Sequence, residues 1–189
     1  MQSEALANIL RSQYSAVFRM LRTALEACPD GLWDRPDGLE APFWAQALHA
    51  IASTRFYLID TIDGPAMDAL CADLSSDLEV EAGRGKPADV PRLRKVIEAL
   101  TEPDADRRVL SKSALHRHLE SAEEAAREIL ADHALFARPN IMPWSGATLA
   151  ERLVYNLRHA QHHIGRLHSI LGRNGIRVRW VMGGGTSDA

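Results

Sequence analysis

The chain is long enough for one sizeable core and carries little net charge. It has 189 residues, 46% of them hydrophobic, and a formal net charge of -3, so we predict a single domain over residues 1–175. No basic stripe, apolar run of about 18 residues or signal-peptide pattern occurs, which argues against nucleic acid and membrane as partners. Two isolated cysteines, Cys28 and Cys71, form no metal or redox motif and predict a cytoplasmic protein.

The first two thirds of the chain are dominated by helical periodicity. Apolar residues at three- and four-residue steps predict a first helix over residues 3–27, followed by a loop to residue 39 in which Trp33 packs against the core. A second helix is predicted from near Glu40 to about Ile62, with Pro42 in its first turn. A third long helix is predicted from a cap at Ser111 to about Leu135.

Residues 63–91 are the least regular part of the sequence. They contain several glycines, prolines and acidic residues, so we expect a long crossover loop with room for a short helix over residues 66–74. Either the segment is a mobile connection or it forms a lid over a functional site, because long loops in compact domains are often functional. A short extra helix is predicted over residues 92–100, ended by Pro103.

The last long helix has clear start and stop signals. Thr148 is a good N-cap, Glu151 completes a capping box, and glycines at 172 and 175 predict the end of the helix. Beyond it we expect a short extended piece over residues 176–182 and, across residues 176–189, a partly disordered C-terminal extension. Four long helices with alternating connections predict an all-α protein built as a four-helix bundle.

Two histidines of this last helix form a possible metal site. His159 and His163 lie one turn apart, with Cβ atoms about 5–6 Å from each other, so both imidazoles can reach one ion. His162 forms a rival pair with His159, although it points away and is expected to be exposed. The alternative is a solvated histidine-rich face. We expect His168 in the core and three further histidines on the surface: His116, His118 and His133.

The second helix carries a histidine among apolar neighbours. His49 has alanines one turn away on either side, which leaves room for a bulky group. A histidine in such a setting is either a ligand or a core residue whose ring bonds a carbonyl. The sequence has no Glu-x-x-His pair and no His-Glu-x-x-His motif, so any metal site must be rich in histidine and poor in carboxylates.

Two sequence patterns resemble the DinB-like (DinB/YfiT) family of four-helix-bundle proteins. One is FWAQALH at residues 43–49, followed by the aromatic pair Phe56-Tyr57; the other is His-x-x-x-His-x-Gly-x-Leu at residues 159–167. The resemblance covers residues 3–172 and implies a divalent ion, nickel or zinc first and iron or manganese next, held by His49, His159 and His163. Arg166 stands where the family often has glutamine.

The resemblance also implies a range of activities. A site of three neutral histidines leaves a coordination position open, as in catalytic sites, so we expect a metal-dependent hydrolase or a transferase that uses a low-molecular-weight thiol, acting on a small-molecule substrate. The alternative is a non-catalytic binding or dimerisation module, and a homodimer is possible in either case. Because protons compete for imidazoles with an unperturbed pKa near 6.5, metal affinity is expected to fall as the pH drops through about 6.

Overall fold

The computed structural model describes residues 2–36, 41–83, 89–102 and 108–181. Over these ranges the chain is all-α, as predicted, and no residue belongs to a β-strand. The helices are α1 (Gln2–Ala27), α2 (Asp30–Trp33), α3 (Phe43–Tyr57), α4 (Pro65–Leu78), α5 (Val90–Ala99), α6 (Lys112–Ala131) and α7 (Leu149–Arg173), with 3-10 turns at His133–Ala137 and Pro143–Ser145. None of the helices in the described ranges is long and apolar enough to cross a membrane.

The four long helices α1, α3, α6 and α7 pack around one core. Helices α1 and α3 each contact both α6 and α7 and have few contacts with each other, so they lie at opposite corners of the bundle. Every residue of α3 is buried, because α4 and α5 pack on the side of α3 that the bundle leaves uncovered. A helix that is covered all round needs no polar face, which explains the run of alanines in α3.

The second predicted helix is shorter at both ends than expected. Pro42 has an extended ψ of 155° and is the N-cap, so α3 begins at Phe43. Glu40 lies outside the described residues. The predicted end near Ile62 is wrong, because α3 stops at Tyr57. The backbone leaves the helix there so that Ile59 is buried and its carbonyl accepts a hydrogen bond from Arg152 Nη2 at 2.7 Å.

The crossover expected over residues 63–91 contains a longer helix than predicted. Helix α4 occupies 14 of these residues, beyond the predicted 66–74, with Pro65 in its first turn and Glu79 in a left-handed conformation (φ 58) at its end. Its buried residues are Met67, Leu70, Cys71, Leu74 and Leu78, and this apolar stripe docks on α3 despite the acidic residues between. Residues 84–88 lie outside the described ranges, so the lid hypothesis stays a prediction.

The remaining connections contain short helical turns that the sequence analysis missed. The loop predicted up to residue 39 contains α2, although Trp33 does pack on the core, with its Nε1 donating to the Leu110 carbonyl at 2.7 Å. Helix α6 starts after its predicted cap, Ser111, but ends at Ala131 and is followed by a 3-10 turn. Residues 176–181 form neither helix nor strand; residue 103 and residues 182–189 are outside the described ranges.

Candidate metal centre

The site is formed where α3 packs against α7, beneath α5. Helix α3 supplies His49, and α7 supplies His159 and His163 from successive turns. The capping box predicted for α7 is present, since the Thr148 side chain accepts from the Glu151 backbone and the Glu151 side chain from that of Thr148. This defined start sets the turn of α7 at which both histidines face α3.

The three imidazoles meet through the same ring nitrogen. His163 Nε2 lies 3.1 Å from His49 Nε2 and 3.2 Å from His159 Nε2, and one ligand atom of each residue lies within 4.8 Å of the others. The structure therefore brings together all three histidines singled out from the sequence. That they bind a metal remains a prediction.

The His49 ring is held in one tautomer by α5. Its Nδ1 lies 2.7 Å from the carbonyl oxygen of Ile97, and because a carbonyl only accepts, Nδ1 must carry the proton. In the neutral ring Nε2 then presents a lone pair toward His163. A ligand ring fixed by a carbonyl at its other nitrogen is the usual arrangement in metal sites. The core-histidine and ligand interpretations of His49 are thus compatible.

Burial keeps the three rings neutral. His49 and His163 are each 6% exposed, and His159 is half-buried. Burial lowers the pKa of His49; it also lowers the pKa of His159 to about 4 and of His163 to about 2, with repulsion from neighbouring imidazoles adding in the same direction. Proton competition for these two rings therefore starts well below the pH of about 6 expected from an unperturbed histidine.

The donor set fits a divalent cation. His163 Nε2 has either a proton or a lone pair, and His49 Nε2 has no proton to donate, so the two short contacts of His163 are not both ordinary hydrogen bonds. Three nitrogens bound at about 2.0–2.1 Å to a tetrahedral ion would be about 3.3–3.4 Å apart, close to the observed spacings. In the described ranges no acidic side chain joins the cluster.

Aromatic and charged side chains lie beside the cluster. A small cavity of about 40 Å³ borders His49 and His159 and is lined by Tyr57, Arg94 and Glu98, among others. Tyr57 packs edge-on against the His159 ring with centroids 5.7 Å apart. The charge of Glu98 is met by Arg94, whose Nε donates to its carboxylate at 2.7 Å.

The predicted exposure of the other histidines is confirmed for His162 and wrong for His118. His162 is exposed, as predicted, and His168 is partly buried. His118, expected on the surface, is 3% exposed, and its Nε2 lies 2.8 Å from the Asp77 carboxylate. Helix α4, which is longer than predicted, carries this carboxylate and packs on α6 beside His118. The Ile97 carbonyl that holds His49 was not predicted, since backbone groups leave no signal in residue patterns.

Comparison with known proteins gave a match over most of the chain. A family model described as the DinB superfamily matches residues 13–167, a range that contains all three histidines of the cluster. No curated protein and no solved structure matches the chain.

Proposed function

Because the chain belongs to the DinB superfamily, we propose that it is a metal-dependent enzyme that acts on a small molecule, with one divalent ion held by His49, His159 and His163. The observation that supports this most is the convergence of three Nε2 atoms with too few protons to bond one another. Nickel or zinc is the ion we expect, since imidazole suits both.

The chain's own residues prepare the site for such an ion. The Ile97 carbonyl orients His49, and burial keeps the rings unprotonated and therefore able to bind metal near neutral pH. Three neutral ligands leave the charge of the ion uncompensated and one coordination position open. A bound divalent ion would supply Lewis acidity, lowering the pKa of a coordinated water toward about 7 or holding a thiolate. Tyr57 restricts solvent access from one side.

Two reaction types are consistent with this chemistry. One is hydrolysis of an ester or amide, and the other is transfer to or from a low-molecular-weight thiol. The zinc- or nickel-loaded protein should be assayed with both substrate classes. Activity that appears with metal, disappears with chelator and is lost in His163→Ala would identify the reaction.

One observation favours a second candidate, a non-catalytic binding or dimerisation module. The Nδ1 atoms of His159 and His163 are buried and have no hydrogen-bond partner in the described residues, whereas the second nitrogen of a metal-bound histidine is almost always bonded. A site of this kind holds its ion less firmly. Light scattering of the purified protein tests the homodimer that accompanies this candidate.

Metal analysis distinguishes the two candidates. Protein purified without a histidine tag should contain, or take up from added zinc or nickel, about one equivalent of metal. His49→Ala, His159→Ala and His163→Ala should each weaken binding by at least about tenfold, since losing even an outer-shell partner costs that much. His162→Ala is the matched control on the same helix and should bind normally. Failure of the native protein to bind either ion would favour the non-catalytic module.

A further inference from the structure

An open groove lies beside the histidine cluster, between the turn at Pro143–Ser145 and the first half of α7. Its volume is about 520 Å³, and its walls include Trp144, Val154, Tyr155 and Arg158. Trp144 is 43% and Val154 47% exposed, so the walls present apolar side chains to solvent. Exposed apolar walls in a concave surface are typical of ligand sites.

The turn that carries Trp144 is held rigidly by one side chain. The Asn140 amide nitrogen donates to the carbonyls of Met142 and Gly146 and to Ser145 Oγ, at 2.8, 2.9 and 2.9 Å. Its amide oxygen accepts from the Met142 backbone at 2.9 Å. Trp144 is therefore exposed on a preorganised support, which lowers the entropic cost of stacking a ligand on it.

Aromatic contacts lead from the groove to the histidines. Trp144 Nε1 donates to the Tyr57 hydroxyl at 3.3 Å. The Tyr155 ring, in the groove wall, stacks on His159 with centroids 6.1 Å apart and meets Tyr57 edge-on at 5.1 Å. Tyr155 lines the groove and Tyr57 lines the cavity at the cluster, so a molecule bound along Trp144 is directed toward His159.

One charged side chain of the groove wall has no ion-pair partner among the described residues. Arg158 lies over the Tyr155 ring, with its guanidinium carbon 5.6 Å from the centroid, and forms no ion pair with any described residue. The carboxylate at this end of the groove, Glu151, already accepts three hydrogen bonds at the start of α7, from Ala147 and Thr148. Arg94, over the Trp144 ring at 5.2 Å, is balanced by Glu98. The unmatched group is therefore Arg158.

We propose that this groove is the docking subsite for the substrate, and that it selects a molecule with an apolar planar body and a carboxylate. Trp144 stacks on the body, Val154 and Tyr155 flank it, and Arg158 binds the carboxylate. This assignment rests on the proposed function, in that it takes the histidine cluster as the reacting centre. A divalent ion on three neutral histidines adds to the positive charge and favours an anionic substrate further.

The probe is 3-phenylpropionate, compared with its uncharged analogue 3-phenylpropanamide. Binding is followed by tryptophan fluorescence in a Trp180→Phe background, because Trp33 and Trp44 are buried and Trp180 is 67% exposed. The acid should bind about fivefold or more tightly than the amide, since a charge-assisted bond is about twice as strong as a neutral one. Arg158→Gln should abolish this preference. Trp144→Ala lacks the fluorescent reporter, so its binding is measured by calorimetry, where both probes should bind about tenfold more weakly.

Arg127→Gln is the matched control, an exposed arginine on α6 away from the groove, and should leave the preference unchanged. All titrations are made with and without zinc. Equal binding of acid and amide, or an acid preference that needs zinc and survives Arg158→Gln, would overturn the assignment. Zinc binding by the same samples is measured separately. Probe binding without zinc uptake would contradict only the proposed function. Zinc uptake without probe binding would contradict only the assignment of the groove.

Discussion

Replacing His163 by glutamine should remove much of the acid sensitivity of the metal-free protein. Burial, with repulsion from His49 and His159, lowers the pKa of His163 to about 2 in the folded state, against about 6.5 in an unfolded chain. Below pH 6.5 the unfolded chain therefore binds a proton that the folded protein does not. The free energy of unfolding therefore carries no penalty from His163 above pH 6.5. It decreases progressively as the pH falls from 6.5 toward 2.

The size of the effect at a given pH follows from this window. Each pH unit below the unfolded pKa lowers the free energy of unfolding by about 1.4 kcal/mol. At pH 5.0, about 1.5 units below that pKa, His163 therefore lowers it by about 2 kcal/mol. No discount for solvent is needed, because the side chain is 6% exposed. His159 acts in the same direction but less, since its half-buried ring is partly screened.

The assay is urea unfolding in the presence of chelator at pH 7.5 and pH 5.0. Between these values the free energy of unfolding of the native protein should fall by about 2 kcal/mol more than that of His163→Gln, because carboxylate contributions are common to both. His162→Gln, at an exposed position on the same helix, should behave as the native protein does. An equal loss in His163→Gln and the native protein would refute the claim that this ring is held neutral.

Three further outcomes follow from the structure. Zinc should still raise the melting temperature at pH 5.5, because His159 and His163 remain unprotonated there; a zinc effect confined to pH 7 and above would contradict this. Thr148→Ala removes the capping box of α7 and should lower the free energy of unfolding by about 1 kcal/mol in urea, with Ser169→Ala near the other end of α7 as a control. Asn140→Ala should release the turn that carries Trp144, seen as a red shift of its fluorescence in the Trp180→Phe background, while zinc affinity stays unchanged.

Local features of this protein were predictable from the sequence. The start of α7 depends on Thr148 and Glu151, three residues apart, and the pairing of His159 with His163 depends only on helical geometry. Both are set by interactions within one or two turns. The all-α class follows in the same way, because each long helix carries its own apolar periodicity.

Long-range features required the tertiary structure. His49 joins the pair on α7 only because α3 packs there. Its apolar neighbours left it as either a ligand or a core residue, and only the resemblance to a family grouped it with His159 and His163. The contacts of His49 with the Ile97 carbonyl and of His118 with the Asp77 carboxylate join residues more than 40 positions apart. The sequence therefore determined which side chains were available for a metal site. Helix packing decided which of them meet, how deeply they are buried and which nitrogen of each ring keeps its proton, because burial and neighbouring groups exist only in the folded chain.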